Sequence, residues 1–159
     1  MRILRNNLKW IMKWFLSFKF SWEDINELQP VLSCIQKKLV DAGLSEVFCS
    51  LFLEQFFNEK WRSTQERYDY CLQHMHDKDL IVCLIKSHEK SHGMIGERDK
   101  ALLYKQPILL LIKEWLEAHH PEFIENAHHV VKFTAIENLL ETLSVLDIQA
   151  MMYNTNQLE

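Results

Sequence analysis

All eight histidines of the 159-residue chain lie between His74 and His129. Three of them follow a glutamate by three positions: Glu89–His92, Glu117–His120 and Glu125–His128. On an α-helix, positions i and i+3 share a face, so each pair would offer one hard oxygen and one borderline nitrogen to the same cation. Two such pairs, completed by one glutamate from each of two further helices, build a carboxylate-bridged dimetal centre inside a helical bundle. Glu89, His92, Glu117 and His120 are therefore the candidate metal ligands, and His88 with His92 at i and i+4 is a candidate surface pair for zinc or nickel. Against a metal stands their placement at expected helix C-termini, where histidine complements the helix dipole without any ligand. The expectation is no cofactor, with those four residues as the alternative. HExxH does not occur, which excludes a zincin.

A second cluster runs from Arg67 to His74, as Arg-Tyr-Asp-Tyr-Cys-Leu-Gln-His. Six intervening residues turn a helix by about 700°, which returns Arg67 and His74 to one face. This spacing resembles the R-x4-6-H motif of the HEPN family of all-helical ribonucleases. The resemblance implies that Arg67 and His74, paired across a dimer, would polarise an RNA phosphate and manage the proton of the attacking 2′-hydroxyl. It covers eight residues, and Tyr68 stands where the family usually has a polar residue.

Other chemistries lack their residues. No GxSxG occurs. Gly93 and Gly96 are the only close pair among three glycines, so phosphate-cradling loops are excluded. Cys34, Cys49, Cys71 and Cys83 show no CxxC spacing and lie in apolar stretches, which reads as four buried, reduced thiols in a cytoplasmic protein.

The net charge of -4 hides an asymmetry. Residues 1–22 contain Arg2, Arg5, Lys9, Lys13 and Lys19 and no acid, so this arm carries +5 and the acidic remainder -9. On a helical wheel Arg2, Arg5, Lys9 and Lys13 oppose a broad apolar face, which predicts a basic amphipathic helix over residues 1–20. Arg2, Arg5, Lys9, Trp10, Lys13 and Trp14 would then meet either an anionic membrane surface or a protein partner. The lysines interrupt any apolar run well short of a transmembrane span. The negative body argues against nucleic-acid binding.

The elements that must position these groups read as helical throughout. Glycine and proline total six, too few for a protein of many tight turns, and no segment shows sustained period-two alternation. Capping residues divide the chain into seven to nine helices, opening near Ser21, Ser45, Ser63, Asp77, Pro121 and Thr134 and closing near Gly43 and Gly93. The apolar run Ile108–Ile112, continued by Trp115 and Leu116, predicts a central helix over residues 107–118. The expected fold is an all-α, single-domain helical bundle over residues 1–159, with a polar tail at 153–159. The expected function is non-catalytic: an intracellular binding or regulatory protein of inhibitor, immunity or effector type. It would act through a helical surface on a protein partner, with a homodimer compatible. The HEPN-like ribonuclease and the His/Glu metal protein are the alternatives.

Overall fold

In the computed structural model the described residues are 13–18, 30, 32–37, 46–49 and 64–145. Their organising element is a five-stranded, fully parallel sheet, which overturns the all-α helical bundle. The strands are β1 (Lys13–Phe18), β2 (Glu46–Cys49), β3 (Leu80–Ile85), β4 (Ile108–Lys113) and β5 (His129–Phe133), in the spatial order β2-β1-β3-β4-β5. Between them run helix α1 (32–37), α2 (Thr64–Gln73), α3 (His92–Leu103), a 3-10 segment (Glu114–His119) and α4 (Pro121–Asn126). Helix α5 (Ile136–Val145) follows β5.

The correction has a physical cause. β3 reads LIVCLI and β4 reads ILLLIK, and every residue of both except Lys113 is buried. A strand covered on both faces shows no polar alternation, so periodicity alone does not separate it from a buried helix. The expected central helix over 107–118 is strand from Ile108 to Lys113, followed by one 3-10 segment. The expected helix after Asp77 is β3, and Gly93, expected to end it, is the second residue of α3. The basic amphipathic helix over 1–20 fails within the described residues, because 13–18 form β1 between β2 and β3.

Side chains alternate across the strands. Phe15, Ile81, Cys83, Ile85, Ile108, Leu110 and Ile112 form one core layer with Met94 and Ala101 of α3, Leu116 of the 3-10 segment and Phe123 of α4. Trp14, Leu16, Val82 and Leu109 point the other way and are equally buried, so both faces of the sheet are covered. Burying a large apolar side chain contributes about 1.5–3 kcal/mol, which makes these two layers the main source of stability.

Helix α3 begins where Ser91, in extended conformation, caps it: its Oγ accepts from the backbone N–H of Met94 at 3.3 Å. It ends at Tyr104, and Lys105 follows with φ 54°, a left-handed conformation that glycine adopts more easily. That turn feeds Pro107 into β4, where its carbonyl accepts from Ile81 N–H at 3.0 Å. Mid-helix, Gly96 leaves room for Tyr68 of α2. A Cβ there would collide with the phenol oxygen and sit 2.7 Å from its Cζ.

Among the described residues no helix is long and apolar enough to cross a membrane. The thiols do not share one environment as expected: Cys83 is buried, Cys71 half-buried and Cys34 exposed.

Candidate functional site

Strand order places the site. β2 lies on one side of β1 and β3 on the other, so the chain reverses its direction of winding at the β1/β3 boundary. The carboxyl ends of the strands at such a switch point are the usual ligand position in open α/β sheets. A crevice occupies that end. Phe18, Leu84 and Ile85 supply its floor, the 86–91 loop and the first turn of α3 one wall, and His120, Glu122 and Phe123 the other.

Beside it lies a carboxyl in an unusual setting. Ser17 and Cys83 are register partners across β1 and β3, and both are buried. Glu97, on α3 one turn beyond the crevice-lining Met94, is only 8% exposed. Ser17 Oγ donates to Glu97 Oε1 at 3.1 Å. Burial pushes the Glu97 carboxyl up to about 8, and the serine hydrogen bond recovers only part of the lost solvation. No cation is among the influences that set this value. The adjacent Cys83 thiol is pushed up to about 12, first by burial and then by Glu97, with the Ser17 hydrogen bond and Arg98 opposing. Such a thiol supplies no nucleophile near neutral pH. Glu97 is the group there whose protonation changes in the physiological range.

The walls are tied together. His120 is buried, and its Nε2 donates to the Ser87 carbonyl at 2.8 Å, which fixes the tautomer and leaves Nδ1 as an acceptor. Next to this bond the exposed rings of His88 and His119 approach to 5.9 Å. Trp115, 61% exposed, lies on the 3-10 segment beyond β4 with Lys113 Nζ 4.9 Å from its ring centroid.

The residues singled out from sequence are mostly scattered. Glu89 and His120 both line the crevice, but His92 is exposed at the start of α3, and Glu117 pairs with Lys132 at 3.2 Å. Among the described residues no three His, Cys, Asp or Glu side chains form a group that could hold a metal. Arg67 lies in α2, whereas His74 falls in the turn after it, its ring tilted against Tyr70 with the centroids 4.6 Å apart. Burial, with Lys78 nearby, holds the His74 imidazole below its ordinary value. That turn leads into the amino end of β3, away from the crevice. The HEPN resemblance also presupposes an all-helical domain, which the sheet removes. Lys13 is half-exposed and pairs with Asp77 at 3.3 Å, while Trp14 is fully buried, so neither belongs to a membrane-facing helical stripe. Arg2, Arg5, Lys9 and Trp10 lie outside the described residues.

Glu97 and Ser17 were not among the candidates. The available signal was local: a glutamate one turn into a helix that follows an all-apolar run, with Ser91 as its cap.

No protein-family model matches the chain, and a search of curated proteins finds no match. Among solved structures, the CMP N-glycosidase BcmB of Clostridium botulinum superposes with a TM-score of 0.58 at 14% identity, covering 84% of this chain and 99% of that one. A conserved protein from Enterococcus faecalis V583 superposes with a TM-score of 0.53 at 13% identity, covering 84% and 98%. At these identities the likeness is one of α/β fold, and it agrees with the parallel sheet.

Proposed function

We propose that the protein hydrolyses the N-glycosidic bond of a nucleoside-class substrate, with Glu97 as the reacting carboxylate. The observation that carries this reading is the buried Glu97 carboxyl, whose hydrogen-bond partner among the described residues is Ser17, beside the crevice at the β1/β3 switch point. Hydrolysis breaks the C1′–N bond, the base departing with the bonding electron pair, and forms a C1′–O bond to water, whose proton goes to the base; positive charge builds on C1′ in between. An anion without a counter-charge in a low-dielectric setting is costly in the free protein, which is why its pKa rises. The same anion interacts far more strongly with a transient cation than it would in water. Stabilisation that appears only as the charge develops is the kind that lowers a barrier. Ser17 fixes the carboxylate's orientation, and burial keeps the carboxyl largely out of bulk solvent. The solved N-glycosidase with this fold supports the choice of bond.

The test is release of free base from pyrimidine nucleosides and their monophosphates, followed by chromatography. The wild-type chain is expected to release base and Glu97→Gln to be inactive. Equal turnover by both proteins would overturn the assignment of Glu97.

A second reading keeps the non-catalytic binding role. It draws on Leu102, Leu103 and Tyr104, which are 38%, 69% and 39% exposed at the far end of α3 and offer a helical apolar patch to a protein partner. That reading predicts no base release by any variant, and loss of partner capture on Leu103→Glu.

A further inference from the structure

Arg98 holds a buried charge that its neighbours leave half used. Ser91, Met94 and Ile95 all line the crevice, and Arg98 continues their stripe at the next i+3/i+4 step along α3. The residue is 8% exposed. One edge of the guanidinium is spent, because Nε and Nη2 donate to Asp99 Oδ1 at 3.2 and 3.0 Å. Its plane lies against the crevice-lining Phe123, with Cζ 4.8 Å from the ring centroid. The other edge is unspent: Nη1 is buried and has no hydrogen-bond partner among the described residues. Glu122 Oε2, on the opposite wall, stands 3.7 Å away, within ion-pair range but beyond a hydrogen bond.

A buried donor left unmade is destabilising, and arginine is the side chain whose paired N–H groups best match a phosphate oxygen pair. Among the lining side chains, Lys86 and Lys90 are balanced by Glu89 and Glu122. Consecutive helical positions diverge by about 100°, so Glu97 and Arg98 can address two ends of one small ligand.

We propose that Arg98 is a specificity-determining residue, whose Nη1 edge binds the phosphate of a nucleoside monophosphate and selects it over the free nucleoside. The choice of a nucleotide rests on the N-glycosidase reading; the phosphate site beside Phe123 does not. The experiment is calorimetric titration of the Glu97→Gln protein, which holds substrate without turnover, with CMP, cytidine and inorganic phosphate, repeated with R98M and R98K added. CMP is expected to bind at least about tenfold more tightly than cytidine, a difference that R98M abolishes while cytidine affinity stays unchanged. R98K, which keeps the charge and loses the planar fork, is expected to weaken CMP and inorganic phosphate about threefold or more and cytidine not at all. A CMP-to-cytidine ratio unchanged in R98M overturns the proposal, and where R98M does not fold, an unchanged ratio in R98K does so. If phosphate binding depends on Arg98 but the wild-type chain releases no base, the N-glycosidase reading falls and the phosphate site stands.

Discussion

The two ends of the same parallel strands handle buried polar groups in opposite ways. At the amino end the charged groups are paired with one another. Asp79 Oδ2 accepts from Lys13 N–H at 3.0 Å, Asp77 pairs with Lys13 at 3.3 Å and with Lys78 at 2.7 Å, and Gln106 donates to the Met75 and Lys78 carbonyls. Its salt-bridge and hydrogen-bond partners Lys78 and Lys13 hold the Asp77 carboxyl down to about 2. The exceptions there are Gln106 Oε1 and, near the start of β1, Trp14 Nε1, which have no hydrogen-bond partner among the described residues. At the carboxyl end, among the described residues, Glu97 has one neutral partner and Arg98 Nη1 has no hydrogen-bond partner. A satisfied network fixes structure, whereas an unsatisfied one stores interaction energy for something that arrives later. The first end closes the sheet; the second is where chemistry would occur.

The largest expected effect separates the two ends by function. Glu97→Gln should lower turnover by about a thousandfold, as removal of one preorganised electrostatic group does. The same change should leave the protein folded and flatten its response to pH. A carboxyl with a folded pKa near 8 and an ordinary unfolded value favours the folded state most below about pH 4.5. That contribution is lost as pH rises towards 8, with a slope of at most about 1.4 kcal/mol per pH unit. Thermal melts at pH 5.5 and 8 should therefore show a larger drop for the wild type than for the glutamine variant. Asp77 has the reverse sign. Its depressed carboxyl contributes stability above pH 4 that disappears as pH falls through about 2. A melt series from pH 4 to pH 2 on Asp77→Asn should lack that component.

Helix α3 joins the two ends, and its seat depends on Gly96. Gly96→Ala gains about 1 kcal/mol of helix propensity but drives a methyl into the Tyr68 phenol, for a net loss of about 1–2 kcal/mol. Displacing α3 moves Glu97, so activity should fall with it, and Tyr68→Ala in the same chain should recover the stability in denaturant titration. Asp79→Ala strips the Lys13 amide of its acceptor and should cost about 1–2 kcal/mol without touching turnover. Lys105→Gly, at φ 54°, should stabilise by about 0.5–1 kcal/mol. Trp115→Ala, on a side chain 61% exposed, should change stability by less than about 0.5 kcal/mol.

Local signals were legible where they rest on backbone chemistry. Ser63 was read as opening a helix, and α2 begins at Thr64; Pro121 occupies the first turn of α4; the break near Thr134 falls between β5 and α5. Strands were not legible, because a buried parallel strand lacks the alternation that marks a half-exposed one. For Ile108–Ile112 the discriminating facts were a run of only five apolar residues and Pro107 just before it, and Trp115 with Leu116 masked both by extending the apolar pattern. The site was hidden for a different reason. Ser17 and Glu97 are 80 residues apart, and the packing of α3 against β1 brings them together.

The account turns on the state of one carboxyl, so the most direct measurement is the 13C NMR titration of the Glu97 side-chain carboxyl, assigned by its absence from Glu97→Gln. The midpoint is expected near pH 8, well separated from the exposed glutamates. A midpoint between 4 and 5 would mean that Glu97 is solvated or paired, and would contradict the uncompensated carboxyl on which the proposed chemistry depends.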